Sequence, residues 1–365
     1  MTLQMQIDKM ASEIRTDGYQ ISIGELISLY ESKEIDIHPE FQRFFRWTLS
    51  QKSKFIESIL LNIPLPPIFV IQRDDGVWDV VDGLQRLSTL YEFFGILKDE
   101  NGDTNSPLIL SGTKYLPDLQ GKSWGETANS LDTTQRLLIK RSKIYVNIIL
   151  RKSDEKAKYE LFMRLNTGGS LLSPQEVRNC ILVQINRDLF FFIKELSENE
   201  DFQTCISITD SAIEEQYDIE LVLRFIIFRS IALSKLKIND VNDFISDKMI
   251  EIGESEAFDK YAERKAFETT FRILSNIQGA DSFRKFDSQK GKFSGGFLLS
   301  AYEVISFGIG KFHSEYENLD NYEILKNKIF DLWNEEEYRR YSGSGVRASS
   351  RIPKLVEFGR KYFKP

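Results

Sequence analysis

The sequence predicts an α+β protein in two parts, a mixed half to about residue 173 and a helical half after it. Three observations carry that division. Apolar β-type runs at Ile68–Gln72 and Val77–Val81 flank Asp74-Asp75-Gly76, the pattern of a hairpin, and Ile144–Leu150 reads as a buried strand. Beyond Ser173 the apolar spacing is helical almost to the end, at about 175–198, 213–235, 240–251, 255–278, 296–315 and 322–340. At the junction stands Ser173-Pro174-Gln175-Glu176: a cap hydroxyl, a first-turn proline and a glutamate three residues on, which together mark a capping box.

Within the mixed half, Ile21–Tyr30 reads as a short helix and Ile35–Pro39 as extended chain. Ser50 is the expected cap of a helix over Gln51–Leu61, whose Phe55, Ile56, Ile59 and Leu60 share one face, and Pro64-Leu65-Pro66-Pro67 stops it. Leu84–Leu97 follows as a helix with Leu87, Leu90, Tyr91 and Phe94 inward. The polar stretch Asn101–Asn129 is expected to be loop, Thr134–Arg141 a helix, and the run after Ser153 a helix to Arg164 ahead of Gly168-Gly169.

Composition bounds the function classes. With 365 residues, 41% apolar and 12% aromatic, the chain is long enough for two domains and too apolar for wholesale disorder. No apolar run approaches the roughly 20 residues that span a bilayer, and Met1–Asp17 lacks the pattern of a signal peptide, so a soluble, cytoplasmic protein without membrane contact is expected. Cys180, Cys205, His38 and His313 are too few for a disulfide framework, a zinc centre or an HNH nuclease, so no protein-held metal centre is expected. A net charge of −7 argues against a whole-surface grip on nucleic acid. Two stretches run the other way: Arg136, Lys140, Arg141 and Lys143, and a C-terminal segment with Arg339, Arg340, Arg347, Arg351, Lys354, Arg360, Lys361 and Lys364 against Glu357 alone.

The chemistry concentrates in three short constellations. In Asp82-Gly83-Leu84-Gln85-Arg86 an apolar strand gives way to a helix, so a glycine turn sets backbone N–H groups and the positive end of a helix dipole beside an arginine. Such a turn suits phosphate; it equally suits a plain Asp cap with Arg86 in an ion pair. Pro39-Glu-Phe-Gln42-Arg43-Phe-Phe-Arg46-Trp47 sets two arginines among four aromatics, which serve either as a core edge or as a second wall of the same cleft. The third, Phe162–Asn166 with Gly168-Gly169 and then Glu176-Val177-Arg178-Asn179, reads most simply as helix ends.

Taken together, Pro39–Arg43, Trp47, Glu57–Leu60, Pro64–Pro66, Asp82–Arg86 and Phe162–Asn166 resemble the N-terminal domain of GmrSD-type restriction systems, across roughly residues 20–185. That domain is similar to the ParB/sulfiredoxin superfamily. The resemblance implies a ParB/sulfiredoxin-like nucleotide-binding domain over residues 1–173 and a helical domain with a basic C-terminal tail over 174–365. It implies an NTP as ligand, with Mg²⁺ as its companion ion. Gln42, Arg43, Gly83, Arg86, Asn166 and Arg178 are then the binding residues, and Asp82, Gln85 and Arg86 the catalytic ones. Two departures stand out: Leu84 replaces the glutamine usual in the turn, and with His38 and His313 far apart the HNH nuclease domain many members carry is not expected here.

The leading expectation is therefore an NTP-binding, NTP-hydrolysing module of an anti-phage restriction system that acts on or senses DNA. DNA contact is expected through the basic C-terminal stretch, and cutting from a separate nuclease or effector subunit. Two alternatives stand beside it. One is a metal-dependent nuclease using Asp82, Asp79 and Glu57, and the other a non-catalytic regulator switched by nucleotide.

Overall fold

The structure, a computed structural model, describes residues 2–5, 16–37, 47–99, 101–125, 129–150, 173–319, 322–343 and 345–365. Gln42, Arg43, Asn166 and the helix expected after Ser153 lie outside them. The chain forms two compact units, Met1–Leu171 and Leu172–Pro365.

The first unit runs β1 (Thr16–Ser22), α1 (Ile23–Glu31), β2 (Ile35–Asp36), α2 (Leu49–Leu60), β3 (Ile68–Gln72), β4 (Trp78–Asp82), α3 (Leu84–Phe94), α4 (Thr133–Arg141) and β5 (Lys143–Ile149). Its five strands form one mixed sheet in the order β1-β5-β3-β4-β2. The β3–β4 hairpin is antiparallel, while β3 pairs in parallel with β5, and β4 with β2. Strand β1, which the sequence does not announce, lies antiparallel to β5 with Ile21 opposite Ile144. It is an edge strand with most of its residues exposed, and its alternation is correspondingly faint.

Local signals set the helices. Thr48, not Ser50, caps α2: its hydroxyl accepts from the Gln51 N–H while the Gln51 side chain returns to the Thr48 N–H, a reciprocal pair that starts the helix ahead of Ser50. Helix α3 stops at Gly95, short of Leu97, because Gly95 takes a left-handed φ of 71° and its N–H closes on Tyr91 and Glu92. Leu26, Ile56, Leu87 and Leu90 of these helices share one core with Ile68, Val70, Ile144 and Val146 of the sheet. Fully burying each such side chain contributes roughly 1.5–3 kcal/mol.

The second unit is helical: α5 (Pro174–Ser197), α6 (Glu200–Ile206), α7 (Asp210–Glu214), α8 (Tyr217–Ser230), α9 (Val241–Gly253), α10 (Lys260–Ile277), α11 (Leu299–Lys311), α12 (His313–Glu317), α13 (Glu323–Asp331), α14 (Glu336–Ser342) and α15 (Ala348–Tyr362), with a hairpin of β6 (Lys285–Asp287) and β7 (Lys292–Ser294) between α10 and α11. The capping box at Ser173 is present. Four of the expected helical runs break: 296–315 divides into α11 and α12, 322–340 into α13 and α14, and two more break at single residues. Asn186 leaves helical geometry inside α5, where its side chain accepts from Leu189 N–H and donates to the Gly253 carbonyl. Gln216, at φ 61°, separates α7 from α8. Helices α11 and α15 approach so closely that a Cβ on Gly359 would sit 2.6 Å from the Val304 carbonyl oxygen.

The basic C-terminal segment is folded. Ile352, Leu355, Val356, Phe358 and Phe363 are buried. Arg351 donates two hydrogen bonds to Glu303, and Arg360 donates to the carbonyls of Phe228, Arg229 and Ile231 that end α8. Arg339, Arg347, Lys354 and Lys361 stay exposed. No helix is long and apolar enough to cross a membrane among the described residues.

Candidate functional site

Strand β4 ends at Asp82, and α3 begins at Leu84 with Gly83 as its cap. Gly83 sits at φ 102°, in the left-handed region, and a Cβ there would meet Ile68 Cγ1 at 2.9 Å. Only glycine fits both the backbone and the space. Glycine also has no side chain to cap the helix. The ladder begins where Leu87 N–H donates to the Gly83 carbonyl, so the amides of Leu84, Gln85 and Arg86 lie ahead of it at the positive end of the dipole. Asp82, Leu84 and Gln85 are half-buried, which leaves this turn in reach of solvent.

Arg86 points into the protein. It is 8% exposed, its Nη1 donates to the carbonyls of Pro66 and Pro67, and its Nη2 donates to Asp82 Oδ2 at 2.8 Å. The guanidinium is a clasp that joins the proline turn after α2 to the end of β4. The ion-pair partner weighed for it in the sequence is real; Asp82, however, is not the helix cap.

Gln85 links two of the constellations. Its Oε1 accepts from the Trp47 N–H at 3.3 Å, and the Trp47 ring packs edge-on against Phe55. The end of the first constellation is thus tied to the first turn of α3. Nothing in the sequence pointed to this bond, because partners 38 residues apart leave no periodic trace.

Arg178 lies in the other unit, fully buried on the first turns of α5. Its Nε donates to Gln175 and its Nη2 to Glu220, which also accepts from Arg224. Arg224 Nη1 is 3.6 Å from Glu303, and Glu303 accepts from Arg351. Three arginines and two glutamates thereby join α5, α8, α11 and α15 inside the helical unit. Burial alone would raise the Glu220 carboxyl, but the charges and hydrogen bonds of Arg224 and Arg178 outweigh it and hold the group below its ordinary range.

The carboxylates weighed for a nuclease are all engaged. Buried Glu57 accepts from the Thr113 hydroxyl and the N–H groups of Tyr115 and Leu116, and so orders the loop after α3. Asp79 is fully buried, with Arg73 Nη1 at 3.5 Å, and Asp82 holds Arg86. Among the described residues, no group of three or more His, Cys, Asp or Glu is placed to hold a metal ion.

A glycine turn feeding a helix start without a side-chain cap is an arrangement chemically able to hold an anion. Residues 23–183 match the family described as GmrSD restriction endonuclease, N-terminal domain, and this stretch of the chain is such a domain. The match runs past Leu171 and ends within α5, so it takes in Arg178. No curated protein and no solved structure shows a significant match to the chain.

Proposed function

We propose that this chain is a nucleotide-binding module, hydrolysing NTP, of a restriction-type anti-phage system that acts on or senses DNA. The uncapped start of α3 at Gly83, within a GmrSD N-terminal domain, carries the reading. In it, the amides of Leu84 to Arg86 and the helix dipole hold a phosphate; a dipole contributes about 0.3–1 kcal/mol at an exposed helix end. Asp82 and Gln85, half-buried beside those amides, orient the attacking water. Arg86 acts one step back, fixing the turn through Asp82 and the Pro66 and Pro67 carbonyls. The partly exposed Asp82 carboxylate fits a hydrated Mg²⁺, which when bound neutralises phosphate charge. With Leu84 at the turn, one polar contact to the nucleotide is given up.

One observation favours a second reading. Asp82 is already paired with Arg86, which leaves the turn short of a free base and suits a nucleotide-switched regulator without turnover.

Calorimetry with ATP, GTP, CTP and UTP, paired with phosphate release with and without duplex DNA, tests both. Binding with release, reduced about a hundredfold or more in Asp82→Asn or Gln85→Ala, is expected. Binding without release selects the regulator. Failure of all four nucleotides to bind overturns the proposal.

A further inference from the structure

The helical unit carries a second basic surface besides the C-terminal segment, on the hairpin between α10 and α11. Strands β6 and β7 pair with Phe286 opposite Phe293 and Asp287 opposite Lys292. Both phenylalanines pack on Phe330 of α13, with centroids at 4.6 and 5.4 Å, so one face of the ribbon is anchored. Alternation turns Lys285, Asp287, Lys292 and Ser294 to the opposite face, where Lys285, Lys292 and Ser294 are exposed.

The tip is built as firmly. Asp287 Oδ1 accepts from the N–H groups of Gln289 and Lys290, the Asp287 carbonyl accepts again from Lys290, and Gly291 closes the loop at φ 61°. A Cβ placed on Gly291, Gly295 or Gly296 would meet nothing within 4 Å. The Lys290 side chain is 68% exposed and 3.5 Å from Asp287, an exposed pair that holds it weakly. A rigid ribbon thus presents three lysines on a chain of net charge −7.

We propose that the β6–β7 hairpin contacts the phosphate backbone of duplex DNA from within a groove. Two paired strands lie about 4.8 Å apart, and the major groove of B-DNA, about 12 Å wide, admits a two-stranded ribbon of that width. Duplex RNA fits less well, because its major groove is too narrow for side chains. A lipid surface fits less well too, since the aromatic face is turned onto Phe330. The inference rests on the DNA part of the proposed function and is independent of the nucleotide turn.

The test is DNA affinity of the full chain across a salt series, for wild type, for Lys285→Gln/Lys290→Gln/Lys292→Gln, and for Lys354→Gln/Lys361→Gln on α15. Circular dichroism confirms that each folds. The hairpin variant is expected to bind on the order of tenfold or more weakly at low salt and to flatten the log–log salt slope by about 2–3, at roughly 0.9 for each phosphate that is no longer neutralised. The α15 variant should match wild type. An unchanged slope in the hairpin variant overturns the inference while leaving DNA binding intact. Weaker binding in the α15 variant alone, or hairpin-dependent binding of duplex RNA or anionic vesicles in place of duplex DNA, overturns it as well. A wild type that binds no duplex DNA removes the DNA reading with it, whatever its nucleotide affinity.

Discussion

Replacing Glu220 by Gln keeps the shape of the side chain and removes the charge at the middle of the buried network. Glu220 receives hydrogen bonds from Arg178 Nη2 and from Arg224 Nε, and Arg224 Nη2 also lies 2.7 Å from Glu220 Oε1. Arg178 is fully buried and Arg224 nearly so, so the variant leaves two guanidinium groups in the interior without the Glu220 charge, Glu303 standing 3.6 Å from Arg224. Removing one partner of a buried pair costs about 3–5 kcal/mol. For a domain of this size that is a fall in Tm of about 6–20 °C. Thermal and urea unfolding followed by circular dichroism reads the loss. The pH dependence has a definite sign. The Glu220 carboxyl is held below its ordinary range, so its stabilisation is complete above that range and is lost as pH falls through the lower folded value. The gap between wild type and variant therefore narrows in acid. A drop under about 1 kcal/mol, or a gap independent of pH, would show that water reaches the network and would refute the reasoning. An Arg178→Met companion separates two roles: nucleotide affinity lost with no fall in Tm would place Arg178 at the ligand.

Three further outcomes follow from single residues. Gly83→Ala forces a left-handed backbone and a 2.9 Å approach to Ile68, so it should cost about 1–3 kcal/mol in urea unfolding and weaken nucleotide binding in calorimetry. Glu57→Ala strips the loop after α3 of its acceptor and should cost about 1–3 kcal/mol, read by the same unfolding, with faster proteolysis near Thr113. Cys205 is buried, and burial pushes its thiol up to about 12, so an aromatic disulfide reagent at mildly alkaline pH should label it only after unfolding.

What the sequence made legible was local. The Ser173 box, the β3–β4 hairpin and the α3 start each rest on residues a few positions apart, and each is where its residue types require. Thr48-x-x-Gln51 was equally readable, and the nearer Ser50 obscured it. Strand β1 and the β6–β7 hairpin escaped because short, half-exposed strands carry little alternation, although Lys285-Phe286 and Lys292-Phe293 around Asp287 and Gly291 were a usable turn signal. The break at Gln216 was invisible because glutamine there reads as helix. In the site, residue types foretold an arginine beside a glycine turn, yet not its direction. Whether Arg86 faces a ligand or the Pro66 and Pro67 carbonyls depends on a proline turn far away in sequence, and Arg178 depends on Glu220 in another helix. Such pairings are tertiary, and pattern alone does not reach them.

The central claim is that the amides at the start of α3 hold a nucleotide phosphate. Amide NMR of the deuterated, ¹⁵N-labelled chain during titration with a non-hydrolysable NTP and Mg²⁺ tests it at those atoms. The account predicts saturable shifts centred on Gly83, Leu84 and Arg86, absent in Gly83→Ala. Binding that leaves these amides unmoved would contradict it.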